Sequence, residues 1–164
     1  MESQYKSINT EVESGKAPGL KIKLLSEVGG VKTYVLVFSK GDEVVSGLTD
    51  FASEYDIQSA HYQGIGSAFE TELGWFDFDR QEYLVNTMGV AEVTSIIGNI
   101  TWFGGKAAAH SHTTVSLGDG SVRGGHLLKM AVGATIEIVL TAEPTFLYKT
   151  LNPEFKAATI DPEL

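Results

Sequence analysis

Residues 98–128 read GNITWFGGKAAAHSHTTVSLGDGSVRGGHLL, and the fold turns on how this stretch doubles back. AAAHSHTTVSL has no Pro or Gly and is rich in small and β-branched residues, the composition of a strand. The triplet GDG at Gly118–Gly120 is a favoured hairpin connection, and SVRGGHLL supplies the returning strand. With Leu117 paired to Ser121, pairing is symmetric about Asp119 and His112 faces His126. His110 shares the face of His112, because side chains along a strand alternate with period two. Directly opposed Cβ atoms lie ~4.5–5.5 Å apart and same-face diagonal neighbours ~7 Å. Three imidazoles then converge closely enough to hold one ion. A slip of one residue would turn His126 to the other face, so the expectation is exacting.

His110, His112 and His126 are accordingly expected to share a metal or anion site, and as metal ligands they fit zinc (Zn2+). Zinc takes imidazole nitrogens at ~2.0–2.1 Å, and three protein ligands with a fourth position open is its catalytic pattern. Neutral imidazoles also suit other transition metals. The set lacks the HExxH spacing and the glutamate that goes with it, so no general base is assigned and catalysis is left open. The fourth histidine, His61 in SAHYQG, has no spacing relation to the others. Glu70, Glu72 and Glu92 read as solvated or subunit-contact charges, and Asp119 as an Asx-type turn residue. Ser111 falls on the opposite face from its flanking histidines, which argues against a nucleophile triad. There is no GxxxxGK[ST], and GIGSAF lacks the third glycine of a dinucleotide fingerprint.

The chain of 164 residues is long enough for one domain with a core. It contains no cysteine, which removes disulfides and thiolate chemistry. No apolar run reaches transmembrane length and the first residues lack a secretory pattern, so a cytoplasmic protein is expected. The formal net charge is −9, and between Asp42 and Glu92 eleven acids face a single base, Arg80. A nucleic-acid binder ordinarily carries a basic face, because phosphate contacts dominate affinity; the lysines here are scattered.

Residues 1–19 are polar and end in Ala17-Pro18-Gly19, which predicts a flexible arm. A single domain over 20–148 and a polar tail over 149–164 complete the expected organisation. KIKLLSE and VKTYVLVFS are strand candidates. DEVVSGLTDFASEY predicts a helix, with Val44, Val45, Leu48, Phe51 and Ala52 on one face and two acids at its positive end. IQSAHYQGIGSAFETELGWFD predicts two strands split near Gly64-Ile65-Gly66. Phe76–Arg80 predicts a turn, and strands follow over 81–86, 91–102 and 134–142. In the last, Ile136, Ile138 and Leu140 share a face. PTFLYKTLNPEF is a candidate edge strand. Tyr34, Phe38, Trp75, Phe76, Phe78, Ile97 and Trp102 are candidates for core or interface. One helix among many antiparallel strands gives an α+β fold, and its exposed strand edges favour an oligomer.

GIGSAFETELGWFDFDRQEYL, GVAEVTSIIGNITW and HSHTTVSLGDGSVRGGHLL together resemble the PPC (plants and prokaryotes conserved) domain, also called DUF296, over about Tyr34 to Glu143. The resemblance implies an antiparallel sheet of about seven strands with one packed helix, assembled as a homotrimer. It also implies a zinc site at His110, His112 and His126, as in stand-alone prokaryotic members. Plant members pair the domain with AT-hook segments, but no RGRP core occurs here. The function expected is therefore a zinc-binding homotrimeric domain with a sensing role or a small-molecule chemistry. Its alternatives are a protein-interaction scaffold and, by family association, a DNA-binding protein, which the acidic charge opposes.

Overall fold

The computed structural model describes residues 4–8 and 10–164. The described elements, in chain order, are β1 (Tyr5–Ser7), β2 (Lys21–Val28), β3 (Val31–Ser39), α1 (Val44–Glu54), β4 (Ser59–Asp77), β5 (Glu82–Met88), β6 (Ala91–Phe103), β7 (Lys106–Ser116), β8 (Val122–Glu143), β9 (Tyr148–Leu151) and β10 (Ala158–Asp161). All ten strands belong to one sheet, in which only the β6–β9 pairing is parallel. The α+β class stands, with more strands than the seven expected. The additional ones come from the termini. Tyr5–Ser7, expected within a flexible arm, pairs with Glu82–Leu84 of β5. Residues 149–164, expected as a polar tail, contain most of the β9–β10 hairpin. Both segments are short and polar, and they become strands only because a partner edge is on offer.

Helix α1 starts where the sequence places it. Glu43 is its N-cap, and its carboxylate accepts hydrogen bonds from the backbone N–H groups of Val45 (3.1 Å), Ser46 (2.7 Å) and, across in β8, Met130 (3.0 Å). Asp42 is buried and accepts from Gly19 N–H (2.9 Å) and Ser39 N–H (2.8 Å). The two acids therefore fasten the helix entrance to neighbouring strands. Val44, Val45, Leu48, Phe51 and Ala52 turn inward and join the core with Leu36 and Phe38 of β3 and Ile136, Ile138 and Leu140 of β8. Each fully buried side chain of this size contributes about 1.5–3 kcal/mol.

β4 is one strand of 19 residues, where the sequence suggested two. The Gly64-Ile65-Gly66 segment is a bulge rather than a break: the register against β6 shifts between Gly64 and Gly66 while pairing resumes on both sides. Both glycines are there for close approach. A Cβ on Gly64 would stand 2.6 Å from Ile138 Cγ1, and one on Gly66 would stand 2.2 Å from the Thr135 carbonyl oxygen. β8 is longer still, running 22 residues through ATIEIVLTA and the GGHLL segment together. It pairs with β7 at its start and with β3 at its end, and lies along β4 for most of its length. The pairings β4–β6, β6–β7, β7–β8 and β8–β4 close into a ring. α1 packs against β7 and β8 on the inner side, and the histidine-bearing face of β7 looks outward.

Candidate metal centre

The hairpin register is the one that GDG implies. Leu117 N–H donates to the Ser121 carbonyl (2.9 Å), Asp119 accepts from Ser121 N–H (2.9 Å), and His112 lies opposite His126. The rings of His110, His112 and His126 gather with centroid separations of 5.2 Å (110–112), 5.0 Å (110–126) and 5.5 Å (112–126). One nitrogen from each lies within 4.8 Å of the others.

Three residues from other strands bear on the histidines. On the inner side of β7, the Tyr62 hydroxyl donates to the His110 carbonyl (3.2 Å) and stands 2.7 Å from the Ser111 hydroxyl. It reaches them by crossing Gly98, where a Cβ would meet the ring at 2.4 Å. Ser111 is thus occupied in holding the strand, with its side chain away from the imidazoles. On the outer side, Tyr83 of β5 stacks flat on His126, centroids 4.6 Å apart and planes 13° apart. Tyr83 can lie there because Gly74, paired with His126, has no side chain; a Cβ at Gly74 would stand 2.7 Å from the tyrosine ring. The third is Lys149 of β9, whose charge acts on both His110 and His126.

Electrostatics keep two of the histidines neutral. Burial, reinforced by Lys149 and His112, lowers the His110 pKa to about 4. Burial, with the charges of the other two histidines and Lys149, lowers that of His126 to about 3. Their lone pairs are therefore free at neutral pH, as metal ligation requires. His126 Nδ1 is buried without a hydrogen-bond partner in the protein, and a buried nitrogen left in that state costs about 1–3 kcal/mol. A coordinate bond would satisfy it. The donor set, three imidazoles, suits zinc and its neighbours in the first transition row. The residues thus fit a divalent metal.

The remaining candidates fall elsewhere. His61 is exposed on β4, separated from His110 by Asn99 of β6, and does not join the cluster. Glu70 pairs with Lys129 (3.3 Å), Glu72 with Lys6, and Glu92 lies exposed on β6. Among the described residues no carboxylate enters the histidine group. Sequence reasoning missed Tyr83, Gly74 and Lys149. Nothing in their local pattern marks them, since they reach the site through pairings on other strands. Beside His112, an open cleft of about 270 Å³ is lined by Ser95, Ile97, Thr113, Thr114, Gly124 and Gly125.

The profile of the Plants and Prokaryotes Conserved (PCC) domain matches residues 25–143. Among solved structures, a candidate DNA-binding protein from Ralstonia eutropha is 33% identical, covers 78% of this chain and 90% of its own, and superposes with a TM-score of 0.74. A plant- and prokaryote-conserved (PPC) protein from Pyrococcus horikoshii is 25% identical over 88% of this chain and 97% of its own, with a TM-score of 0.74. A metal-containing protein from Archaeoglobus fulgidus is 26% identical over 85% of this chain and 98% of its own, with a TM-score of 0.73. No curated protein matches the chain.

Proposed function

This chain belongs to the plants and prokaryotes conserved domain family, and from that premise we propose that it is a metal-binding member whose His110, His112 and His126 hold one zinc ion in a homotrimer. The convergence of three imidazoles on the outer face of the β7–β8 hairpin, with His126 Nδ1 buried and unpaired, carries this reading. The similarity to a metal-containing archaeal protein supports it. A zinc held by three imidazoles keeps a coordination position for an outside ligand and offers Lewis acidity there. The chain's own part is to hold His110 and His126 neutral, to brace His126 with Tyr83 and to keep a cleft open beside His112. A sensing role or a small-molecule chemistry follows from such a site.

The same face supports the assembly reading. Ile97, Gln63 and Val139 stand in register with His112 across the sheet. Ile97 and Val139 are 59% and 45% exposed, and neighbouring Ile65 is 61% exposed. Exposed apolar side chains gathered on one face, Ile97, Val139 and Ile65 here, are stabilised by burial against other copies. Direct DNA binding, the description carried by the Ralstonia relative, has a net charge of −9 against it and no basic run in its favour.

Native mass spectrometry of the untagged protein tests both parts at once. The expected particle has three times the 17.7 kDa chain mass and carries one zinc per chain. Replacing all three histidines with alanine should remove the metal and leave the particle assembled. A metal-free wild-type particle would overturn the ion site, and a monomer would overturn the assembly.

A further inference from the structure

Asn99 stands well inside β6, between Gly98 and Ile100, in a strand rich in β-branched and aromatic residues. Asparagine is depleted in strands, because its amide gains little from packing there and competes for backbone hydrogen bonds. Its side-chain carbonyl oxygen, Oδ1, is buried and has no hydrogen-bond partner. A buried acceptor in that state is costly and ordinarily finds a donor. Neither its strand propensity nor its present contacts account for this residue.

The register of β6 points to the missing donor. Asn99 lies directly opposite His110 of β7. The adjacent pair, Gly98 and Ser111, lies against Tyr62 on the inner side, so by the period of two Asn99 and His110 share the outer face. Opposed Cβ atoms are ~4.5–5.5 Å apart, a gap that an amide and an imidazole can close between them. On its other side Asn99 pairs with His61 of β4, which is exposed and stands outside the histidine group.

An imidazole that ligates a metal through one nitrogen carries its proton on the other, and that N–H needs an acceptor to fix the tautomer and the ring orientation. One ring nitrogen of His110 gathers with those of His112 and His126, which leaves the second for such a contact. A carboxylate is a common acceptor in this role, and among the described residues none enters the group. We propose that Asn99 is the positioning residue of His110: its Oδ1 accepts the N–H of the ring nitrogen turned away from the ion, and so sets the tautomer and the angle of the ring. The orphaned oxygen and the spare N–H of the ligand then satisfy each other. This rests on the metal reading above, and the experiment separates the two.

Chelator competition with Co2+ gives the metal affinity of each variant, and nitrogen-edited NMR spectra of the Zn2+-loaded protein observe the imidazole N–H protons. Asn99→Leu keeps the size and removes the acceptor; it should bind Co2+ about 10–100-fold more weakly, as for loss of a partner that orients a ligand. Its His110 N–H should exchange with water too fast to be seen. Asn99→Asp restores the acceptor beside a cation and should recover most of the affinity and the N–H signal. His61→Ala should change neither. Wild-type affinity in Asn99→Leu would overturn the proposal. So would an Asn99→Asp protein as weak as Asn99→Leu, which would make Asn99 a packing residue. A loss in His61→Ala equal to that in Asn99→Leu would overturn it too, by giving the amide to His61. Failure of the wild type to take up Co2+ would instead refute the metal reading beneath it.

Discussion

His126 is positioned as much by an absence as by any contact. Gly74 lies opposite it in β4, and the space a side chain would fill is taken by the Tyr83 ring. Gly74→Ala would place a methyl 2.7 Å from Tyr83 Cδ1 and 2.8 Å from Cγ. Those atoms are at the base of the ring and cannot swing aside cheaply. The substitution should cost about 1–3 kcal/mol in stability. By lifting Tyr83 from His126, it should also weaken metal affinity about tenfold, the lower end for loss of a residue that orients a ligand. Chelator competition reads the affinity, and an unchanged value would show that the stacking is incidental. Gly98 and Tyr62 repeat the device one strand further on, beneath the backbone between His110 and Ser111.

Among the elements, α1 and the β7–β8 hairpin carry their instructions locally. A single carboxylate at Glu43 closes the helix N-terminus and ties it to Met130 of β8, by three backbone N–H groups. Glu43→Ala should therefore cost more than an ordinary cap, about 2–3 kcal/mol against a typical ~1. Thermal unfolding would register this as a loss of roughly 4–12 °C for a chain of this size. A drop under 2 °C would mean that water takes over the freed donors, by the same scaling. β4 and β8 behave differently. Their lengths of 19 and 22 residues come from bulges that absorb glycine-bearing segments, so punctuation that ends most strands only bends these.

On the scale of the whole molecule, burial of the site makes stability depend on pH. In the folded, metal-free protein His110 titrates at about 4 and His126 at about 3, against 6.5 for the free side chain. As the pH falls below about 6.5 the unfolded chain takes up protons that the folded one refuses, so stability declines, and this contribution levels off only below both folded values. Carboxylates also titrate at the acid end, so the comparison that isolates the effect is with His110→Asn/His126→Asn. Urea midpoints of the metal-free proteins between pH 7.5 and 4.5 should fall more steeply for the wild type, and parallel slopes would contradict the burial argument. None of the described helices is long and apolar enough to cross a membrane. By itself the sequence determined the local matters: the helix and its buried stripe, the inward row Ile136, Ile138 and Leu140, and the His112–His126 register. A three-residue turn and a period of two leave those little freedom. It also carried enough family pattern to indicate the fold class. Only the tertiary structure decided that Gly64 and Gly66 bend a strand without ending it, that Tyr5–Ser7 and Tyr148–Leu151 find partner edges, that Tyr83 stacks on His126, and that the Lys149 charge acts on His110 and His126. The pairings that place those two residues link positions far apart in the chain. Periodicity reports which face a residue takes, and only the closed β4–β6–β7–β8 circuit and the strands joined to it determine what that face meets.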